Sequence, residues 1–307
     1  MLHVIGVLAA ALLFGTTGTA KALGPEEASA LSVGVARMVI GGAGLALIAF
    51  VLEARHARTA QRPRPPVTAR PVLLMIATGV AISVYQPLFF LGTQLNGVAV
   101  STVIALGSAP VLAGILEWAV TRRLPSRVWI AATAAASAGV ALLGIGGGAG
   151  TGGVDPVGLL GAVGAGAAFA VIANAQRRLL DEGWDPFTVV GAMGAGSAIL
   201  CAAAIPFVDL SWLGAPGGWP TALWLGLATI SVAYVLFTWG LQGLTAATAA
   251  TLTLGEPLTA ALLGVGVLGE QLSALAFAGL AVLAGGLIAL AWGSRRPRDP
   301  LPYAVEA

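Results

Sequence analysis

Two acids stand out in an apolar stretch of the chain, because carboxylates are rare inside hydrophobic segments. Glu256, followed by Pro257, lies near the middle of residues 246–273, and Glu270 lies toward the end of that stretch. A charged side chain at the centre of a bilayer costs about 2.5–3.5 kcal/mol on insertion scales. Glu256 is therefore a candidate to bind a cation or an amine, or to take up a proton. The alternative is a structural acid, hydrogen-bonded to backbone groups that Pro257 leaves without a donor.

Arg37 is a second charged residue within an apolar run. Its guanidinium could bind a carboxylate through two parallel hydrogen bonds. Packing and hydrogen bonding to carbonyls of neighbouring helices is the simpler alternative. Pro110 and Pro257 each lie in the middle of an apolar span, where a proline either breaks the helix beside a substrate site or produces a static kink.

Further polar candidates for a cavity wall are Tyr85, Gln86, Tyr234 and Thr248. Helix–helix hydrogen bonding is the alternative for each of them. The histidines, the cysteine and the acids are not spaced as metal ligands, and no serine has a suitable His and acid partner. We therefore predict no catalytic residue, no cofactor and no metal, and we do not expect an enzyme.

The composition places these residues in a membrane protein. The 307 residues are 58% hydrophobic and 9% charged, whereas a soluble domain is about 25% charged. The net charge of +2 comes from arginines in short loops, a distribution that does not indicate nucleic-acid binding. Cys201 is the only cysteine, so an intramolecular disulfide is excluded.

Ten stretches are long and apolar enough to cross a bilayer as helices. The first could be a signal-peptide core, but no lysine or arginine precedes it, so we interpret it as a span. The fold class is thus all-α integral membrane. The predicted spans are 3–23, 29–52, 71–93, 97–120, 127–147, 157–179, 187–207, 220–241, 245–268 and 273–293.

The basic residues predict the orientation of these spans. Cytoplasmic loops carry an excess of arginine and lysine. With the N-terminus in the cytoplasm, only Lys21 falls outside, and we expect a cell (inner or plasma) membrane protein with both termini cytoplasmic. The residues that then lie inside are Arg55, Arg58, Arg62, Arg64, Arg70, Arg122, Arg123, Arg127, Arg177, Arg178, Arg295, Arg296 and Arg298.

The chain also repeats internally. Pro257, Ser273 and Gly286 stand 147 residues after Pro110, Ser126 and Gly139. Because each repeat contains five spans, an odd number, the two halves must have opposite orientations in the membrane, as in many secondary transporters. We predict a first five-helix repeat over residues 1–150 and a second, with a short cytoplasmic tail, over 151–307.

Several of these motifs resemble the EamA-type ten-helix transporters of the drug/metabolite transporter superfamily. The ninth span carries EPLTAALLG from Glu256 and LGEQLS from Leu268, similar to the family's helix-nine signature. Leu13-Phe14-Gly15-Thr16 resembles the helix-one motif, and Arg37 the helix-two arginine. In the first repeat Arg122-Arg123 replaces the Gly-Glu pair, so the acid is not needed in both halves.

The resemblance implies a central cavity lined by helices three, four, eight and nine, and alternating-access export of small metabolites such as amino acids or related amphiphiles. Alternatives are a sugar-phosphate or nucleotide-sugar exchanger, and a membrane enzyme or sensor. Expected partners are a small-molecule substrate and the lipid bilayer. Proton coupling through Glu256 and uncoupled efflux are both open, as is a homodimer.

Overall fold

The computed structural model describes residues 1–59, 65–147 and 155–294 of the chain. Within these ranges the chain is helical, and nine helices are long and apolar enough to cross a membrane, with a shorter tenth. They are α1 (Leu2–Ala22), α2 (Ala30–Thr59), α3 (Ala69–Asn96), α4 (Val98–Thr121), α5 (Arg127–Gly146), α6 (Pro156–Asp181), α7 (Pro186–Ala202), α8 (Gly218–Leu241), α9 (Ala246–Leu268) and α10 (Ala274–Gly293).

The prediction of ten membrane helices is confirmed, although some boundaries differ. The second span was predicted to end at residue 52, but α2 continues to Thr59. The seventh span was predicted over 187–207, but α7 ends at Ala202 and a separate 3₁₀ turn follows over Ile205–Phe207. Pro206 explains the break, because proline cannot donate the backbone hydrogen bond that would continue the helix. At 17 residues, α7 is about 25 Å long, shorter than a typical bilayer core of about 30 Å.

Helices α8 and α9 depart from regular α geometry in their middle parts. In α8 a π-helical segment runs from Trp224 to Val232, a rare geometry that is frequent at functional sites. The ninth span was predicted over 245–268 with a break or a static kink at Pro257 left open, and α9 consists of Ala246–Leu252 and Gly255–Leu268 joined by a tight turn. Both irregular segments lie at mid-span, where the cavity described below is found.

The contact between α5 and α10 displays the inverted repeat. A Cβ at Gly139 of α5 would lie 2.8 Å from the carbonyl oxygen of Gly279 in α10. A Cβ at Gly286 of α10 would lie 2.9 Å from the carbonyl oxygen of Ala132 in α5. Each contact maps onto the other when residues of the two repeats are exchanged, so the two helices pack around a pseudo-two-fold axis. Glycine permits this close approach because it has no side chain.

Matched helix starts also relate the repeats. The Ser126 hydroxyl accepts a hydrogen bond from the Trp129 amide at the start of α5, at 3.1 Å. The Ser273 hydroxyl accepts one from the Ala276 amide at the start of α10, also at 3.1 Å. These serines are at equivalent repeat positions and cap their helices in the same way.

One face of α6 consists of small residues, and it lies in the groove between α3 and α4. Gly158 packs against Asn96 of α3, and Gly166 packs against Ser108 of α4. Further along the same face, the Asn174 amide donates to the Ala113 carbonyl of α4 at 3.1 Å. Small residues at every fourth position, Gly158, Ala162, Gly166 and Ala170, permit this close helix packing.

Some residues used for the prediction lie outside the described ranges. The predicted boundary between the repeats, at 150–151, lies there. So do five of the predicted cytoplasmic arginines: Arg62, Arg64, Arg295, Arg296 and Arg298. The remaining predicted cytoplasmic arginines lie toward the side of the bundle where α1 begins and α10 ends. We call this the terminal side, and the opposite side the far side.

Candidate functional site

A cavity of about 440 Å³ lies between the two repeats. Its walls come from α1, α2, α3, α4, α8 and α9, with Phe169 contributed by α6. The resemblance had implied helices three, four, eight and nine, and the structure adds α1 and α2. The volume falls in the range of about 300–1,000 Å³ typical of small-molecule sites.

The cavity extends from the middle of the bundle to the far side. Lys21, near the end of α1, and Val98, at the start of α4, line it and are exposed. Phe14, Met38 and Tyr234 line its inner part and are buried. The mouth is therefore formed where α1 ends and α4 begins.

Glu256 lies in the first turn of the second segment of α9 and lines the cavity. The preceding turn is stabilised by a 2.9 Å hydrogen bond from the Glu256 amide to the Thr253 carbonyl. Pro257 follows in the same first helical turn, where a backbone N–H has no intrahelical partner and proline is tolerated. The partial positive charge at a helix N-terminus favours a carboxylate there. The break in α9 thus both exposes Glu256 to the cavity and stabilises its charge.

Helix α1 contacts α9 at the level of Glu256. A Cβ at Gly15 would lie 2.7 Å from the Glu256 carbonyl oxygen, so a larger residue at this position would push the helices apart. The neighbouring Thr16 hydroxyl accepts a 3.0 Å hydrogen bond from the indole nitrogen of Trp224, in α8. The helix-one motif therefore positions α1 against both irregular helices.

Arg37 of α2 is 9% exposed and lines the same cavity. One of its terminal nitrogens, Nη2, donates to the Thr229 hydroxyl at 3.3 Å. Thr229 belongs to the π-helical segment of α8, and its hydroxyl in turn donates to the Leu225 carbonyl. The irregular geometry of α8 therefore places a hydroxyl acceptor beside the guanidinium.

Aromatic side chains cover much of the remaining wall. The rings of Tyr85 and Phe89 on α3 are stacked with centroids 6.2 Å apart. Phe14 of α1 and Tyr234 of α8 meet edge to face, with centroids 5.2 Å apart. Such a wall favours a ligand with an apolar body, while the phenol groups supply polar contacts.

The cavity brings together five of the eight predicted site residues: Glu256, Arg37, Tyr85, Gln86 and Tyr234. Pro257 and Pro110 are buried but do not line it. Pro257 acts through the break in α9, whereas Pro110 lies within the uninterrupted helix α4. Thr248 lies closer to the terminal side, where it accepts a 2.9 Å hydrogen bond from the Thr245 hydroxyl.

Sequence reasoning missed several residues that the structure places at the cavity. Phe89 and Phe90 follow Tyr85-Gln86 on α3, and Phe169 reaches the cavity from α6. Their aromatic character was a signal, but no spacing rule separates aromatic residues on a cavity wall from those facing lipid. Thr229 gave no signal, because its position depends on the π-helical segment.

On the terminal side, where the cavity has no lining residue from the α8–α9 connection, two charged side chains contact that connection. Arg177 of α6 donates to the Leu241 and Gln242 carbonyls at the end of α8, at 2.7 and 2.8 Å. The Glu117 carboxylate of α4 accepts from the Ala247 amide at the start of α9, at 2.8 Å. We name these contacts the α8–α9 clamp. Glu117 thus has a hydrogen-bond partner from the other repeat.

Comparison with known proteins agrees with this fold and cavity, which define a multi-pass membrane transporter. The chain matches the model of the EamA-like transporter family over residues 1–145 and again over 156–292. It is 38% identical over 292 residues to the uncharacterized transporter YwfM of Bacillus subtilis (strain 168), covering 95% of this chain and 94% of that one.

A solved crystal structure of another protein shares the fold, with a TM-score of 0.75 at 20% identity over 94% of this chain and 98% of that chain. The chain therefore belongs to the EamA-like transporter family, and the resemblance seen in its helix-nine and helix-one motifs is confirmed. Membership also implies a lipid environment and a small-molecule substrate.

Proposed function

We propose that this protein exports small amphiphilic metabolites, such as amino acids or related compounds, by alternating access. The observation that carries the proposal is Glu256, an acid at the break of α9 that lines a cavity with aromatic walls. Broken helices at mid-membrane supply substrate and ion sites in secondary transporters. The inverted repeat provides two related halves that can rock about this site.

The distribution of arginines supports an orientation with the terminal side in the cytoplasm. Arg122 and Arg123 follow α4 on that side, and Arg177 and Arg178 lie near the end of α6. The cavity then opens to the outside of the cell (inner or plasma) membrane, and the α8–α9 clamp closes the cytoplasmic side. This is the conformation from which an exporter releases its substrate.

Glu256 also suits coupling to protons. A carboxylate that lines an accessible cavity and lies in a mostly apolar wall can exchange a proton for a cationic substrate group. In this scheme protonation of Glu256 from outside displaces the substrate amine. The protein then returns to the conformation that is open to the cytoplasm, with Glu256 still protonated.

The experiment is uptake by proteoliposomes that contain the purified full-length chain. A panel of amino acids, amines and organic acids is tested with and without an imposed proton gradient, against protein-free liposomes. We expect transport of at least one amphiphilic solute, accelerated by a gradient that drives protons against the solute flux. Absence of transport for every solute would contradict the proposed function.

Glu256→Gln is the sharpest variant, because it removes the charge and the titration while keeping the side-chain shape. We expect transport to fall about tenfold or more and to become insensitive to the proton gradient. Glu270→Gln is the matched control, since Glu270 lies beyond the end of the same helix and away from the cavity. Wild-type transport by Glu256→Gln would exclude a role for this acid.

A further inference from the structure

Arg37 carries hydrogen-bond donors that the protein leaves unused. Its Nε atom is buried and has no hydrogen-bond partner among the described residues. The contact with Thr229 uses one of the two hydrogens of Nη2 and is long, at 3.3 Å. A buried polar group without a partner costs about 1–3 kcal/mol, and more when it is charged. A group that the apo protein leaves unsatisfied at a cavity wall can be satisfied by a ligand.

Arg37 and Glu256 carry opposite charges and line the same cavity. The ion pairs found in the described part of the chain do not include this one. If Arg37 served only to neutralise Glu256, direct contact would be the most stable arrangement, because Coulomb attraction in a low-dielectric site rises steeply at short distance. The two residues instead lie on different helices, α2 and α9, and both line the cavity.

We propose that the cavity binds its substrate as a zwitterion, with the substrate carboxylate on Arg37 and its ammonium group on Glu256; this rests on the proposed transport function. The unpartnered Nε–H and the hydrogen of Nη2 on the same side form the planar two-donor edge that binds a carboxylate through parallel hydrogen bonds, and the second Nη2 hydrogen remains for Thr229. Glu256 offers the opposite charge to the amine. A neutral α-amino acid supplies both groups on one carbon atom.

The rest of the wall defines the side chain of that amino acid. Phe89 and Phe90 of α3 and Phe169 of α6 line the same cavity as the two charges. Rings of this kind favour an apolar or aromatic substrate side chain. Among the described lining residues Glu256 is the only acid, and Lys21, at the mouth, is the only base besides Arg37. A phosphate dianion would meet one buried cation and a repelling carboxylate, so a zwitterion fits better.

The test compares solutes of one shape that differ only in charge. Leucine carries both groups, leucinamide lacks the carboxylate, and 4-methylpentanoate lacks the ammonium group; phenylalanine, its amide and 3-phenylpropanoate form a second set. Uptake is measured in the same proteoliposomes, with protein-free liposomes as the background. We expect the wild-type protein to transport each amino acid about tenfold faster than either analogue, since each lost charged contact corresponds to about 1.5–3 kcal/mol.

Two variants assign the charges to residues. Arg37→Gln is expected to slow uptake of the amino acid while leaving uptake of the amide unchanged. Glu256→Gln is expected to slow uptake of the amino acid while leaving uptake of the organic acid unchanged. Arg37→Lys keeps the charge but loses the two-donor edge, so an intermediate rate is expected. Arg178→Gln is the control, because Arg178 pairs with Glu182 on its own helix and does not line the cavity, so its loss should preserve the preference for the zwitterion.

The preference of the wild-type protein for the amino acid over its two analogues tests the proposal even if a variant fails to fold. Equal transport of amino acids and their amides by the wild-type protein would overturn it. An equal slowing of all three solutes by Arg37→Gln would overturn the assignment of the carboxylate to Arg37. Transport of amines or organic acids but of no amino acid would leave the transporter standing and refute the zwitterion. Transport of nothing would instead contradict the proposed function itself.

Discussion

The connections α3–α4 and α8–α9 occupy equivalent positions in the two repeats but lie on opposite sides of the membrane domain. At the α8–α9 connection, Arg177 and Glu117 reach in from helices α6 and α4 and hold the helix ends. At the α3–α4 connection, Asn96 exchanges two hydrogen bonds with the backbone of Asp155, and Gly97 faces open space. The α3–α4 connection borders the mouth of the cavity through Val98, whereas no residue of the α8–α9 connection lines the cavity.

The residue that stands 147 positions after Glu117 explains part of this difference. It is Gly264, which has no side chain to reach across the cavity. The space beside it is occupied by the carboxylate of Glu270. The two sides of the bundle therefore share a backbone plan and differ in their charged side chains. We infer that these side chains favour the conformation that is open on the far side.

Among the tests of this asymmetry, disrupting the α8–α9 clamp should have the largest effect on transport. Arg177→Gln removes two charge-assisted hydrogen bonds to the end of α8, each contributing about 1.5–3 kcal/mol. We expect the terminal side to open more often and transport to fall about tenfold, because the far-side-open state loses its stabilisation. The reporter is Thr248→Cys in a Cys201→Ser background, labelled by a membrane-impermeant maleimide from the terminal side.

When the clamp is intact, the cysteine introduced by Thr248→Cys should react slowly with the maleimide, since Thr248 is buried. Arg178→Gln is the matched control, because Arg178 lies beside Arg177 on α6 but pairs with Glu182 on its own helix. Equal labelling rates in the Arg177→Gln and Arg178→Gln proteins would show that the clamp does not hold the closed side.

The paired prolines provide a second, smaller test of the asymmetry between repeats. Pro257→Ala restores a donor that can bond the Thr253 carbonyl and so favours a continuous α9. Glu256 would then lose the helix N-terminus that stabilises its carboxylate, a contribution of about 0.3–2 kcal/mol. We expect transport to fall about threefold to fivefold by the same principle.

Pro110→Ala is the comparison, since Pro110 already lies within the continuous helix α4. Its effect on transport should stay within about twofold, the range of a substitution that removes no special feature. If the two proline variants were equally impaired, the break in α9 would not be what distinguishes the two repeats.

Much of the fold was predictable because each feature has a local cause. Apolar runs long enough to cross a bilayer gave the ten spans, and the five-span offset between Pro110 and Pro257 gave the inverted topology. The capping serines, Ser126 and Ser273, were visible as a matched pair. The end of α7 was missed because the apolar run continues past Ala202, and hydrophobicity alone does not register the break before Pro206.

The site was less predictable because it depends on non-local geometry. Glu256 was conspicuous, since a carboxylate in an apolar span is costly wherever it points. Thr248 and Thr229 have the same side chain, and both are buried. Thr248 lies near the terminal side and bonds to Thr245, whereas Thr229 accepts a hydrogen bond from Arg37 at the cavity. No local pattern predicts the π-helical segment that places Thr229, or the pairing of Glu117 with the backbone of α9.

The smallest expected effects concern the ends of α4 and α9, which adopt the same left-handed backbone on opposite sides. Arg122 follows α4 with φ of 57°, and Gly269 follows α9 with φ of 71°. A side chain in this conformation costs about 1–2 kcal/mol, whereas glycine adopts it freely. Arg122→Gly should therefore raise the free energy of unfolding by about 1 kcal/mol, and Gly269→Ala should lower it by about as much.

Chemical unfolding in detergent measures both changes, while transport should stay close to the wild-type rate because neither position lines the cavity. Arg123→Gly is the control for charge, since it removes the same guanidinium from the adjacent position, where φ is not positive. A stabilisation confined to Arg122→Gly would assign the effect to the backbone. Equal changes in Arg122→Gly and Arg123→Gly would assign it to the lost charge. The left-handed conformation at the end of α4 would then have no measurable free-energy cost, although the ends of α4 and α9 have the same backbone geometry.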